Sequence, residues 1–228
     1  MKLLTYGNVK LLKGEAFGYL SAVLHLAPSW LSGWNVCPMA STGCAFACLF
    51  TAGRGVYQKT RDARLRKTRQ FFTARSEFMA QLVKDIAAVE RRATRIGMFP
   101  VIRLNGTSDI RWEYVPCVVD GVEYPNVMMA FPMVQFYDYS KLPNRRDLPE
   151  NYHVTFSRSE SNVEHVAAAM AAGFNVAVVF AKLPKRYMGR KVIDGTKTDL
   201  RFLDPKKVIV GLTPRGRARK EMSGFVVR

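Results

Sequence analysis

Three of the four cysteines lie within one short stretch, "CPMASTGCAFAC", at positions 37, 44 and 48. Thiolates are good ligands for zinc and for iron–sulfur clusters. We therefore expect a metal site at Cys37, Cys44 and Cys48, with zinc as the first expectation and an iron–sulfur cluster as the alternative. Cys117 or a histidine would be the fourth ligand. The Cys-x6-Cys-x3-Cys spacing matches no common zinc-finger pattern, and buried structural thiols are the other interpretation, because free cysteine is often buried.

Two aspartates, Asp109 and Asp138, each follow or end an apolar run that has the pattern of a strand. Two carboxylates in one pocket can divide the work between a nucleophile and an acid or base, so we expect a catalytic pair. The alternative for each is a turn or helix cap. The same strand ends carry further candidates for binding a substrate or a phosphate, which are Asn105, Ser108, Lys141, Ser157 and Arg158.

Strand-like runs alternate with helical patterns along the chain, which indicates a parallel sheet. The sequence predicts an α/β fold, a small or incomplete (β/α) barrel with a cysteine loop after the first strand. An open doubly wound sheet is the alternative. We expect one domain over residues 1–228, with chemistry at the carboxyl ends of the strands.

The chain carries a formal net charge of +17, which indicates a polyanionic partner. The charge is concentrated in a basic helical segment at about 54–95 and a basic C-terminal loop at about 213–221. We expect a nucleic acid, DNA or RNA, as the partner. The arginines expected to contact it are Arg54, Arg64, Arg66, Arg69, Arg215 and Arg217. A merely solvated basic face is the other interpretation.

The sequence has no apolar run of about 18 residues, so no membrane segment is expected. Its first residues carry charges and glycines where a secretory signal needs an apolar core. The expected location is the cytoplasm, where cysteines stay reduced.

Several motifs together resemble those of the gene product 88 family of phage and prophage proteins, from about Lys2 to Arg228. They are "CPMASTGCAFACLF", "IRLNGTSDI", "FYDYSK", "YHVTFSRSESN" and "DLRFLDPKKVIVGL". Many relatives have His-Asp-Ser-Gly-Asp-Phe where this chain has "NGTSDI". Asp109 matches the second aspartate of that loop, and Gly106 stands in place of the first.

The loop is also similar, more loosely, to that of tRNA-guanine transglycosylases, whose phage relatives insert 7-deazaguanine bases into DNA. This resemblance implies a β/α barrel, an aspartate nucleophile, a second aspartate as acid or base, and often a cysteine-ligated zinc. The expected function is therefore DNA modification by base exchange, with a modified base as the small-molecule substrate.

Two other functions remain open from the sequence. One is an iron–sulfur enzyme of radical type acting on a nucleic acid, since enzymes of that kind carry their cysteines after the first strand, although as Cys-x3-Cys-x2-Cys. The other is a DNA-binding protein that holds a zinc ion and catalyses nothing. The sequence favours an enzyme without deciding the reaction.

Overall fold

The computed structural model describes residues 1–6 and 13–228. Its strands are β1 (Leu4–Thr5), β2 (Tyr19–Leu24), β3 (Phe99–Arg103), β4 (Cys117–Val119), β5 (Val122–Tyr124), β6 (Gln135–Ser140), β7 (Tyr152–Ser157), β8 (Val176–Phe180), β9 (Arg186–Tyr187), β10 (Arg190–Asp194), β11 (Ile209–Leu212) and β12 (Val226–Val227). Its α-helices are α1 (Ser29–Ser32), α2 (Thr42–Phe46), α3 (Gln58–Thr73), α4 (Arg75–Arg95), α5 (Val127–Ala130) and α6 (Val163–Ala171).

One large, mostly parallel sheet organises the molecule. Its strand order is β1-β2-β3-β6-β7-β8-β11-β10-β9, and β12 also pairs with β8. Strands β2, β3, β6, β7, β8 and β11 are parallel to their neighbours and follow one another in chain order, whereas β1 and β9 pair antiparallel at the two edges. In the described residues β1 and β9 do not pair with each other, so the sheet is open. The α/β class is confirmed, and no closed barrel forms.

The helix α4 covers one face of the sheet because its apolar residues recur every three or four positions. Phe78, Leu82, Ile86 and Val89 are fully buried on that face and pack with residues of β2, β3 and β6. Gly97, with φ of +67°, stands just beyond the end of the helix, as the sequence predicts. The predicted single helical stretch is interrupted at Ala74, which separates α3 from α4.

Side chains alternate along β6 between the two faces of the sheet. Phe136 belongs to the core under α4, while Tyr137 packs on the other face with Val101 and Leu200. Asp138 therefore shares the helix-covered face with Phe136. The following residue, Tyr139, lies on the face of Tyr137.

Gly106 is held against the end of β2, where no side chain fits. Its amide donates a hydrogen bond to the Leu24 carbonyl (3.0 Å), and an added Cβ would lie 2.6 Å from that oxygen. We expect Gly106→Ala to lower the free energy of unfolding by about 1–3 kcal/mol, because backbone must shift to make room. Denaturant unfolding measures the change.

The matched control for this prediction is Gly14→Ala, where the nearest atom to an added Cβ is the Ser21 Oγ at 3.3 Å. That variant should keep the parent stability to within about 1 kcal/mol. Equal losses in the two variants would show that contact with Leu24 is not what excludes a side chain at Gly106.

Candidate functional site at the carboxyl edge of the sheet

The cysteine loop is fastened to the carboxyl edge of the sheet by one carboxylate. Glu160, which follows β7, accepts hydrogen bonds from the Gly43 amide (2.7 Å) and the Ser41 hydroxyl (2.8 Å). Ser41 in turn caps α2 by accepting from the Cys44 amide (3.2 Å). An added Cβ on Gly43 would lie 2.8 Å from the Glu160 Oε1. The loop is therefore seated closely against the end of β7.

The three thiols of this loop lie near enough to influence one another. Burial raises the pKa of Cys37 to about 12, and the charges of Asp109, Cys48 and Cys44 contribute to the rise. Burial also raises the pKa of Cys48, with a contribution from Cys44. Cys37 and Cys48 are thus neutral thiols at ordinary pH unless a cation or a bound metal lowers their pKa.

No disulfide joins these cysteines, and the thiol of Cys37 donates to the Thr107 carbonyl (3.9 Å). Cys117, the proposed fourth ligand, is buried instead in the core beneath α4. Among residues 1–6 and 13–228, no three His, Cys, Asp or Glu side chains are arranged to hold a metal ion. The metal site expected from the sequence stays a prediction.

Lys141 brings a positive charge to the thiols. Its ammonium donates to the Ser157 hydroxyl (3.2 Å) and lies 5.7 Å from the centre of the Phe225 ring. Burial lowers the pKa of Lys141, but interactions with Cys44 and with the Asp109 carboxylate outweigh burial and hold the pKa above its usual range. Lys141 thus stays protonated beside the Cys44 sulfur.

Arg64 supplies a second positive charge, from α3. Its side chain is 8% exposed, and its guanidinium lies 5.3 Å from the centre of the Phe50 ring. Burial lowers the pKa of Arg64, and the nearby Cys48 opposes that effect. Within the described part of the chain, its Nε and Nη1 are buried without a hydrogen-bond partner.

The sequence places Arg64 on an exposed basic face, and that expectation is wrong. Arg64, Lys67, Thr68 and Phe71 form the buried face of α3, at spacings of three and four residues. Lys67 donates to the Leu3 carbonyl (2.5 Å). The expected nucleic-acid contacts that do lie exposed are Arg54, Arg66, Arg69, Arg215 and Arg217.

Asp109 is nearly buried beside the cysteine loop, and both of its carboxylate oxygens are engaged. Oδ1 accepts from the Ser140 hydroxyl (2.7 Å), and Oδ2 accepts from the Lys141 amide (2.8 Å). The Asp109 amide donates to the Val36 carbonyl (2.7 Å). Asp109 therefore ties the loop after β3 to both the end of β6 and the cysteine loop.

Asp138 is completely buried below this edge. Its Oδ1 accepts from the Asn105 amide (2.7 Å) and lies 3.9 Å from the Arg103 Nε, while Oδ2 accepts from the Tyr152 hydroxyl (2.9 Å). Burial raises the pKa of Asp138 to about 7, against the opposing effect of Arg103 and of its hydrogen bonds. An enclosed carboxyl with these contacts holds the strands together, and its role as a nucleophile stays untested.

Asn105 is the hub between the two aspartates. Its side-chain oxygen accepts from the Ser108 hydroxyl (2.8 Å), the Ile110 amide (2.9 Å) and the Trp112 indole (3.1 Å). Its amide nitrogen donates to the Ile110 carbonyl (2.9 Å) and to Asp138 (3.3 Å). Asn105 and Ser108, predicted as substrate contacts, are thus fully engaged within the protein.

The remaining candidates at the strand ends, Ser157 and Arg158, also contact other groups of the protein. Ser157 is half-buried against Lys141. Arg158, predicted to hold a phosphate, donates through Nη1 to the carbonyls of Gly224 and Phe225. The structure thus gathers the cysteines, Lys141, Asp109 and Ser157 at one edge, and uses Arg158 to secure the segment before β12.

Several polar contacts near the site are absent from the sequence expectations. Glu113 and Arg145 form a buried ion pair beside the aspartates. On the other face of the sheet, Asp199 accepts from Tyr137 (3.1 Å) and contacts Arg103 (3.3 Å). The contacts of Asp199 could have been suspected from the tyrosines at every second position in "FYDYS". Glu113 and Arg145 lie in irregular segments, where no sequence pattern indicates that they pair.

A family model described as gene product 88 matches residues 2–228. No curated protein and no solved structure matches the chain. No described helix is long and apolar enough to cross a membrane.

Proposed function

The chain belongs to the gene product 88 family of phage proteins, and from that premise we propose that it is an iron–sulfur enzyme of radical type acting on a nucleic acid. Cys37, Cys44 and Cys48 would hold the cluster. Three thiolates would leave one iron open to a substrate or cofactor, because a cluster with four irons takes four ligands.

The observation that carries this proposal is the charge around the thiols. Arg64 is buried beside Cys48 with two unpartnered nitrogens, and Lys141 lies beside Cys44. A buried cation without an anionic partner is costly, so the unpartnered nitrogens of Arg64 favour an anionic group at this edge of the sheet. A cluster held by three thiolates supplies that negative charge, and the two cations would stabilise it.

The topology gives further support. Six parallel strands follow one another in chain order, and the cysteine loop comes after the first of them, β2. In parallel sheets of this kind the chemistry collects at the carboxyl ends of the strands. For the cluster to form, Cys37 must leave the Thr107 carbonyl and the loop must close around the metal.

We expect the chain to bind iron and sulfide when purified without oxygen and reconstituted with both. Cys44→Ala should lose the bound iron and the brown colour, because the cluster would lose one of its three thiolate ligands. Cys117→Ala is the matched control and should keep both, since Cys117 lies in the core under α4. Radical enzymes of this type use S-adenosylmethionine, which would bind the open iron, so adding it should change the electron paramagnetic resonance spectrum of the reduced cluster.

Elemental analysis separates this proposal from its competitors. One zinc per chain, lost in Cys44→Ala, would overturn the cluster and favour either base exchange or a zinc-containing DNA-binding protein. Equal metal content in the Cys44 and Cys117 variants would remove the loop as a metal site altogether.

DNA base exchange is the second candidate, favoured by one observation. The raised pKa of Asp138, about 7, gives that carboxyl a proton to donate near neutral pH. A covalent protein–DNA adduct on denaturing gels would be its signature.

A further inference from the structure

An exposed apolar surface lies on the outer side of the cysteine loop. Five large side chains that are between 44% and 64% exposed define it, and we refer to them as the loop surface: Trp30, Phe46, Leu49, Val56 and Tyr57. A cluster of exposed rings and aliphatic side chains in one stretch of chain is unusual for a surface with no partner.

The loop surface is continuous with the site through Phe50. The Trp30 ring packs edge-on against Phe50 at 5.3 Å, and the guanidinium groups of Arg61 and Arg64 lie 5.7 and 5.3 Å from the centre of the same ring. Arg61 also donates to the Gly55 carbonyl (3.4 Å). Phe50 thus has the exposed Trp30 ring as one neighbour and Arg64, beside Cys48, as another.

Basic residues flank the loop surface. Arg54 is exposed in the Gly53–Val56 turn, which packs against both Leu49–Thr51 and α3. The Gly216–Lys220 turn packs against Leu49–Thr51, and exposed basic residues project from and around it. These are Arg215, Arg217, Arg219 and Lys220. The start of the first basic stretch, at Arg54, and the basic C-terminal turn therefore meet against Leu49–Thr51, next to the exposed side chains of the loop surface.

We propose that this surface binds single-stranded nucleic acid, with unpaired bases stacked on Trp30 and Tyr57 and phosphates held by the surrounding arginines. Positive charge alone would suit a duplex as well. Exposed rings have a use only for bases that are out of a double helix, because stacking needs a free base face. The strand would run across the mouth of the candidate site, so this inference rests on the proposed function and names its substrate class.

The test is fluorescence anisotropy with a labelled oligothymidylate and with a duplex of the same length, titrated at several salt concentrations. We expect the single strand to bind more tightly than the duplex. Trp30→Ala and Tyr57→Ala should each weaken binding of the single strand by roughly 5- to 150-fold, the range for loss of one stacked base. Phe99→Ala and Tyr114→Ala are matched controls, because both rings are more than 65% exposed elsewhere, and should leave the affinity unchanged.

A second pair of variants tests the phosphate contacts. Arg54→Gln with Arg217→Gln, exposed in the two turns that pack against Leu49–Thr51, should reduce the slope of log affinity against log salt by about 1.4, at about 0.7 per phosphate of a single strand. Arg91→Gln with Arg95→Gln, exposed on α4, should leave the slope as it is.

Equal or tighter binding of the duplex, with no effect of the ring variants, would overturn the single-strand proposal. These measurements are independent of the cluster. Cys44→Ala should lose iron and keep its binding of the oligonucleotide, so that failure of either proposal is seen without the other.

Discussion

Glu113→Ala is expected to lower the free energy of unfolding by about 3–5 kcal/mol, the usual cost of removing one partner of a buried ion pair. Two contacts join Glu113 to Arg145, at 2.8 Å from Nε and 2.9 Å from Nη2, and both side chains are less than 8% exposed. Removal of the carboxylate would leave the guanidinium charged and enclosed. Denaturant unfolding of the folded variant measures the loss.

Glu113→Ala should also disturb the candidate site, because Arg145 helps to position the residues that hold its two aspartates. Arg145 also donates to the Ser140 hydroxyl (3.1 Å) and to the Tyr152 hydroxyl (3.3 Å), and these two groups hold Asp109 and Asp138 respectively. The control is the double variant Glu113→Leu with Arg145→Met, which removes both charges and keeps apolar volume. It should regain most of the stability. A double variant no more stable than Glu113→Ala would mean that the uncompensated charge is not the cause.

The stability of the folded chain is expected to carry a contribution from Asp138 that is lost as pH rises from about 4 to about 7. Its pKa is raised from 3.8 to about 7 by burial, so over this range the folded state keeps a proton that the unfolded state has released. Stability falls with pH wherever the folded state binds more protons. A rise of about three pKa units corresponds to about 4 kcal/mol between the two ends of the range.

Asp138→Asn tests this, because an amide cannot titrate and its oxygen can still accept from the Asn105 amide. Between pH 4 and pH 8 the stability of the variant relative to the parent should improve by about 4 kcal/mol. Asp120→Asn, an exposed residue in the turn between β4 and β5, is the control and should run parallel to the parent. Parallel curves for Asp138→Asn and the parent would contradict the raised pKa.

The sequence predicts much of the fold, because repeated patterns of apolar residues identify most of its helices and strands. The period of α4 and the apolar strand runs identify the elements, and their alternation predicts the parallel sheet. Closure could not be predicted in this way, since it depends on the twist and number of strands and not on any local pattern. The helix break at Ala74 was also missed, because alanine favours helices in general.

The sequence predicts that polar residues gather at the carboxyl ends of the strands, and Asp109, Lys141 and Ser157 lie there. Their neighbourhood with the cysteines follows from how the cysteine loop folds back on this edge, which no local pattern specifies. The position of a residue at a strand end does not show whether its side chain hydrogen-bonds within the protein. Asn105, Ser108 and Arg158 were therefore expected to bind a substrate. The burial of Arg64 follows from the packing of one face of α3, and a run of arginines gives no sign of which face that is.

The pairing of β12 with β8 has a consequence for the order in which the site is assembled. β8 pairs with β7 only at Val176 and Ala177, and further along it pairs with β12. Phe225, just before β12, lies beside Lys141 and packs on Cys44, which is roughly 180 residues earlier in the chain. At a synthesis rate of about 5–20 residues per second, the thiols leave the ribosome roughly 9 to 36 seconds before their cover does. During that interval Phe225 does not yet cover the loop, so its sulfurs are accessible to metal ions and to oxidants alike.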